Sequence, residues 1–167
     1  MKIISGGQTG VDRAALMAAQ DLGIPTGGWC PPGRLAEDGI IPDRFPLKET
    51  PDDRSKDAPH IPRSQRTEWN VRDSDATLLI IPRNIPDSDK GTALTLKYAL
   101  EYNKPYFICN PDKDNDSGVI LSWIEDASID ILNISGPSEL SVKGITRKAY
   151  ELIHDVLSIY QNKSLNL

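Results

Sequence analysis

At 167 residues, 38% of them hydrophobic and 26% charged, the chain is long enough for one well-buried core and too short for two ordinary domains, so residues 1–167 are expected to form a single domain. Its formal net charge of −5 leaves no global attraction to nucleic acid or to an anionic membrane surface, so an anionic ligand has to be held by local dipoles and a few placed arginines. Cys30 and Cys109 are too few and too far apart for a disulfide framework or zinc cluster, and no segment approaches the roughly 20 apolar residues that cross a bilayer; a cytoplasmic protein with reduced thiols and no metal is the expectation.

Met1 to Ile4 reads as a short buried strand that runs into SGGQTGVD, residues 5–12. A strand, a glycine-rich turn and a helix start are the parts of an anion cradle, because free N–H groups of the first helical turn and the helix dipole attract phosphate or carboxylate. Gly6, Gly7 and Gly10 match neither the dinucleotide GxGxxG pattern nor the Walker lysine pattern, and such a turn also serves as a tight connection in a Rossmann-like fold. Gln8, Thr9 and Asp12 at the helix mouth favour a ligand site, although Thr9 equally suits an N-cap and Asp12 equally suits the dipole. Arg13 shares that first turn. Val11, Ala14, Ala15, Ala18 and Leu22 then recur at helical spacing up to Gly23, and Thr26 to Trp29 is a weak second strand with two glycines.

Eight of the 13 prolines fall between Pro25 and Pro62, and residues 30–62 are predicted to be a long ordered binding loop. Within it, Arg34 is a candidate bidentate phosphate ligand, and Glu37 and Asp38 are either site carboxylates or turn-shaping residues. A polar helix over 63–74 carries Arg66, Asn70 and Asp73 on one face, which is either a solvated stripe or a wall of the ligand mouth. Ala76 to Ile81 is a continuous apolar run of the kind buried in a parallel sheet. The turn-forming stretch PRNIPDSD, 82–89, precedes a second strand, turn and helix unit in which Gly91, Thr92 and Thr95 are candidate phosphate or sugar contacts. Strand 105–109, helix 119–127, strand 129–134, a Gly136-Pro137 break and a final amphipathic helix complete the chain. Alternating strands and helices predict an α/β, Rossmann-like, doubly wound and mostly parallel sheet with helices on both faces and a ligand site at the carboxyl ends of the strands. His60 and His154 form no triad or metal pattern, and the catalytic residues of any reaction stay open.

The segments SGGQTGVDRAAL, GWCPPGRLAEDGIIPDRFPL, RTEWNVRDSDATLLI, KGTALTLKYA, KPYFIC and ILNISGPSE, taken in order, resemble the "putative molybdenum carrier" family. That family is a circularly permuted branch of the Rossmann-like superfamily containing the lysine decarboxylase-like (LOG) proteins and the DNA-processing protein A fold. The resemblance implies a cytoplasmic homo-oligomer that binds a nucleotide-derived ligand or a phosphate-bearing pterin such as the molybdenum cofactor. By position it carries over Gly6, Gly7, Thr9, Gly10, Asp12, Arg34, Glu37, Asp38, Gly39, Arg66, Asn70, Asp73, Gly91, Thr92 and Thr95. Two departures stand out: Thr95 occupies the place of the glutamate with which LOG enzymes cleave a ribosyl monophosphate, and Ser138-Glu139 replaces an arginine that usually follows Gly-Pro. A threonine is no acid or base at neutral pH, so a binding protein is the leading expectation and an enzyme acting on a nucleotide or nucleotide-sugar at the same pocket is the alternative.

Overall fold

The computed structural model describes residues 1–83, 89–112 and 116–165; residues 84–88, most of the PRNIPDSD turn, lie outside the described residues. Five strands form the central sheet: β1 (Lys2–Ile4), β2 (Thr26–Gly27), β7 (Ala76–Ile80), β8 (Tyr106–Cys109) and β9 (Ile131–Ser135). They lie in the order β2-β1-β9-β7-β8, and every pairing is parallel. Register is set by apolar partners such as Ile3 with Leu132 and Leu78 with Ile134. All five residues of β7 are buried, the signature of a strand covered on both faces.

The helices are α1 (Val11–Asp21), α2 (Ser64–Arg72), α3 (Lys90–Glu101), α4 (Asp116–Asp126) and α5 (Ile145–Leu165). On one face, Ala14, Ala15 and Ala18 of α1, Ile120 and Ile124 of α4 and Ile153 and Leu157 of α5 bury Ile3, Leu78, Ile80, Leu132 and Ile134 of the sheet. Small residues bring α1 against the strands. Helices α2 and α3 pack together on the opposite face around Val71, Leu94, Tyr98 and Ala99.

The topology explains where a ligand can lie. From β1 the chain passes through α1 outward to β2, whereas from β7 it passes through α3 outward to β8 on the other side. Right-handed crossovers put those two helices on opposite faces, so their first turns diverge and leave a crevice above the strand between them, β9.

The long proline-rich loop is more structured than its sequence suggests. The stretch read as one strand over Thr26 to Trp29 splits at Gly28 (φ 123°): β2 pairs with β1, and β3 (Trp29–Cys30) pairs with β6 (Lys48–Glu49) in a separate ladder. A side chain at Gly28 would collide with the Ser5 carbonyl and lie 2.8 Å from Asn70 Oδ1, which is why only glycine makes this corner. Between β3 and β6 come a 3-10 turn (Pro32–Arg34) and a two-stranded hairpin, β4 (Leu35–Ala36) with β5 (Gly39–Ile40). Ala36, Ile41, Phe45 and Leu47 form a small core of their own against Leu16 of α1 and Cys30.

Arg34 holds that loop together. Its Nε donates to the Ile41 carbonyl (3.2 Å), Nη1 to Leu47 (3.1 Å) and Nη2 to Pro42 (3.1 Å) and Phe45 (2.9 Å). The guanidinium expected to grip a phosphate is instead spent on four main-chain oxygens, because a proline-rich loop lacks N–H donors of its own and a rigid fork of five donors satisfies several carbonyls at once. Arg34→Ala should lower the unfolding free energy by about 2–4 kcal/mol in urea, with Arg34→Lys recovering little because an ammonium does not reproduce the fork. The variant should nevertheless keep the ligand affinity of the wild type.

Candidate functional site

The carboxyl end of β1 continues as Ser5-Gly6-Gly7 and turns into α1 at Gly10. Gly10 has φ 80° and lies so close to the Pro137 carbonyl and to Ser138 that a Cβ has no room. Val11 N–H donates to the Pro137 carbonyl at 3.2 Å, and Thr9 N–H donates to Gln8 Oε1 at 3.0 Å. The segment after β9 therefore lies across the start of α1. The glycine-rich turn read as an open anion cradle is roofed by residues 137–139, and its glycines serve close packing; Gly7 faces Leu47 and Ile41.

Asp12 is the buried centre of this region, 2% exposed, and accepts a 2.7 Å hydrogen bond from Arg66 Nη1. Burial pushes its carboxyl up, while the Arg66 charge and hydrogen bonds from Arg66, Ser5 and the Gln8 main chain pull it down, with burial prevailing. Arg66 comes from the first turns of α2 and passes directly over Gly6, where a Cβ would lie 2.9 Å from its Cδ. Its Nε is buried with no partner.

Over β9, at the switch point, lies a polar cavity of about 280 Å³. Its floor is Ser135 and Gly136 at the end of β9 with Thr95 of α3, whose Oγ1 donates to the Gly91 carbonyl (3.0 Å) and lies 3.2 Å from Ser135 Oγ. Its walls carry three cations, Arg63, Arg66 and Lys90, with Gln8, Thr67, Ser138 and Ser141; Ile61 and Pro62 give an apolar edge and Glu37 and Asp89 are its carboxylates. Asp89 caps α3 by accepting from Thr92 N–H at 3.1 Å, and Thr92 is itself buried and does not line the cavity.

Of the residues nominated from sequence, the fold brings Gln8, Glu37, Arg66, Gly91 and Thr95 to this cavity. Others lie elsewhere. Asn70 clasps the backbone of β3, accepting from Trp29 N–H (2.8 Å) and donating to the Trp29 carbonyl (2.9 Å). Asp73 accepts from Trp29 Nε1 at 2.7 Å and from Arg72, which together hold its carboxyl below the ordinary value against some burial. Arg66, Asn70 and Asp73 do share a helix face, but α2 runs from the carboxyl edge of the sheet to the amino edge, and seven residues advance about 10 Å along a helix. Only the first of the three can reach the cavity. Arg13 pairs with Asp38 and donates to the Gly7 carbonyl at 3.1 Å, and that ion pair lowers the Asp38 pKa. It ties the β4–β5 hairpin to α1. Thr9 donates to Glu37 Oε1 and accepts from Glu139 N–H.

Arg63, Lys90, Ser135, Ser138 and Ser141 escaped the reading from sequence. A usable signal existed for two of them, since Ser135-Gly136-Pro137-Ser138 follows a strand just as Ser5-Gly6-Gly7 does. Arg63 is held at φ 59° at the start of α2, a backbone state no residue pattern announces. Among the described residues, no group of three His, Cys, Asp or Glu is placed to hold a metal ion, and no helix is long and apolar enough to cross a membrane.

A wholly parallel five-stranded sheet, wrapped on both faces and bearing a polar cavity at its switch point, is a single-domain α/β protein of the Rossmann-like class. Within that class the chain belongs to the circularly permuted YpsA SLOG family, whose model matches residues 3–157. It is 40% identical to the "putative molybdenum carrier protein" from Syntrophus aciditrophicus SB; that crystal structure superposes with a TM-score of 0.82 over 93% of this chain and 94% of the other. No curated protein matches the chain.

Glu139, which follows the Ser138 that stands where the resemblance leads one to expect an arginine, has a definite role. Its carboxylate caps α5, accepting from Gly144 N–H (2.5 Å), Thr146 N–H (2.9 Å) and Thr146 Oγ1 (2.6 Å). Burial works to raise its pKa, but these hydrogen bonds outweigh it and hold the carboxyl below the ordinary glutamate value. Because the folded-state pKa is depressed, the stabilisation is complete above the unfolded value and is lost as pH falls through the folded one. Glu139→Ala should therefore cost about 1 kcal/mol at pH 7 and progressively less on acidification below the glutamate range, as read by denaturation at several pH values.

Proposed function

We propose that the protein is a carrier-like binder of a phosphate-bearing ligand, nucleotide-derived or of pterin type, held in the cavity above β9. The observation that carries this reading is the convergence of Arg63, Arg66 and Lys90 with the hydroxyls of Thr95, Ser135, Ser138 and Ser141 in one cavity of a chain whose net charge is −5. Cations complement a phosphate, and a floor of hydroxyls complements ribose or pterin polar groups. The volume lies just below the usual range of about 300–1,000 Å³ for ligand pockets, which suits one phosphate with part of a small ring system. The name of the Syntrophus relative supports the carrier side of the reading. For a molybdenum pterin the fit lies at the phosphate end: neither Cys30 nor Cys109 lines the cavity, so the metal would have no protein thiolate there.

Binding is favoured over catalysis by the state of the carboxylates. Asp12 is buried behind Arg66, Glu37 is engaged by Thr9 and the Leu140 N–H, and Asp89 caps α3. Thr95 holds the place at which LOG enzymes carry their glutamate, and its hydroxyl is already in a hydrogen-bonded pair with Ser135. The alternative, an enzyme acting on a nucleotide or nucleotide-sugar, would have to draw its acid or base from these engaged carboxylates, of which Asp89 keeps a buried Oδ2 without a partner among the described residues.

A thermal-shift series with inorganic phosphate, AMP, ADP-ribose, molybdate and molybdenum cofactor tests the reading. A true ligand at a hundredfold excess over its Kd should add about 2.7 kcal/mol of stability. Arg63→Ala and Lys90→Ala should each weaken it about tenfold, the loss of one partly exposed charge-assisted contact. If no phosphate compound shifts the protein, or if both variants bind as the wild type does, the cavity is not the site.

A further inference from the structure

Glu37 stands between two cavities. The polar cavity over β9 has it in one wall, and a second, more open cavity of about 490 Å³ on the far side has it in another, together with Thr9, Arg13, Asp38, Leu140 and Thr146. Its carboxylate takes two uncharged donors, the Thr9 hydroxyl and the Leu140 main-chain N–H at 3.0 Å, while its own N–H is held by Gln8 Oε1 at 2.9 Å. Among the described residues it has no cationic partner, since the nearby Arg13 is engaged by Asp38. A carboxylate that sits on a hydroxyl and a main-chain N–H, beside a cavity lined by three cations, occupies a place suited to an anion from outside.

We propose that Glu37 is a built-in stand-in for a ligand anion, and that displacing it joins the two cavities into one elongated site for a diphosphate-bridged nucleotide. This deepens the reading above and rests on it. In the joined site one phosphate lies among Arg63, Arg66 and Lys90, the next takes the Thr9 hydroxyl and Leu140 N–H, and the remainder of the ligand extends along Leu140, which is 82% exposed in the protein alone. The exchange replaces one anion by another on the same donors, so no polar group is stranded. Movement of the wall involves a small element, held to α1 by the Arg13–Asp38 pair and to the loop core by Ala36. Hairpin β4–β5 has only two residues per strand, and its Leu35 and Ile40 are exposed, so a swing withdraws Ala36 alone of its strand residues from the core and gives up one partly exposed ion pair.

Titration of AMP and ADP-ribose into wild type, Glu37→Ala and Glu37→Gln decides the matter. AMP carries a single phosphate and stays within the polar cavity, whereas ADP-ribose has to pass Glu37. Glu37→Ala should bind ADP-ribose about tenfold more tightly than wild type and AMP within threefold. Glu37→Gln, which keeps an oxygen on the two donors, should stay near wild type for both. In the wild type, ADP-ribose should raise hydrogen exchange in residues 35–40, a readout that needs no variant. Loss of ADP-ribose affinity in Glu37→Ala would make Glu37 a ligand contact. An equal gain for both probes in both variants would make it a source of through-space repulsion, and unchanged exchange in the hairpin would show no displacement. Each of these overturns the inference while leaving the binding function intact. Failure of both probes to bind any of the three proteins would overturn the inference too, and the binding function itself falls only when no phosphate compound of the thermal-shift series binds.

Discussion

The ion pair between Asp12 and Arg66 is the constraint on which the site depends. It joins the start of α1 to the start of α2 across the carboxyl end of β1, in a place where both partners are almost wholly withdrawn from water. Removing one member of such a pair typically costs 3–5 kcal/mol, because the other is left charged and desolvated. Burial raises the Asp12 pKa despite the arginine, a sign that the carboxylate is held in an expensive place. Its consequence is positional: Arg66 is drawn over Gly6 into the wall of the cavity, and a fixed guanidinium loses less entropy on meeting an anion than a free one does.

Around that pair the chain distributes its polar groups so that structure and site share them. The segment 137–139 covers the mouth of α1 with a carbonyl, anchors to Thr9 and then caps α5 through Glu139. The proline-rich loop, poor in donors, is satisfied by Arg34 and is pinned to α1 by the Arg13–Asp38 pair. What faces the cavity is three cations, a set of hydroxyls and two carboxylates, Glu37 and Asp89, with no ion-pair partner among the described residues. That set is the physical content of the proposed function.

Much of this was legible in the residues. The alternation of apolar strands with small-residue helices announced a parallel α/β sheet, since a strand buried on both faces has to be apolar throughout, as Ala76–Ile80 is. The segments Ser5–Asp12 and Lys90–Thr95 both lie at the carboxyl edge of the sheet, beside the polar cavity. Individual partners were not legible. Arg34, Asn70 and Asp73 have the side chains of a binding site, yet their hydrogen-bonding capacity is consumed by main-chain oxygens, by β3 and by Trp29. Nothing in local spacing reports that, because the partners are 7 to 44 residues away.

By itself, then, the sequence determined the class of fold and the family, because these depend on periodicity and on short motifs that act within a few residues. The tertiary structure decided which donors remain free. It closed the Ser5–Asp12 turn under residues 137–139, gave Arg34 to the loop, brought Arg63, Lys90 and Ser135 to Arg66, and set Glu37 between two cavities. Those outcomes rest on contacts between segments distant in the chain, and a hydrogen bond or an ion pair, once made, removes a group from the set that can meet a ligand.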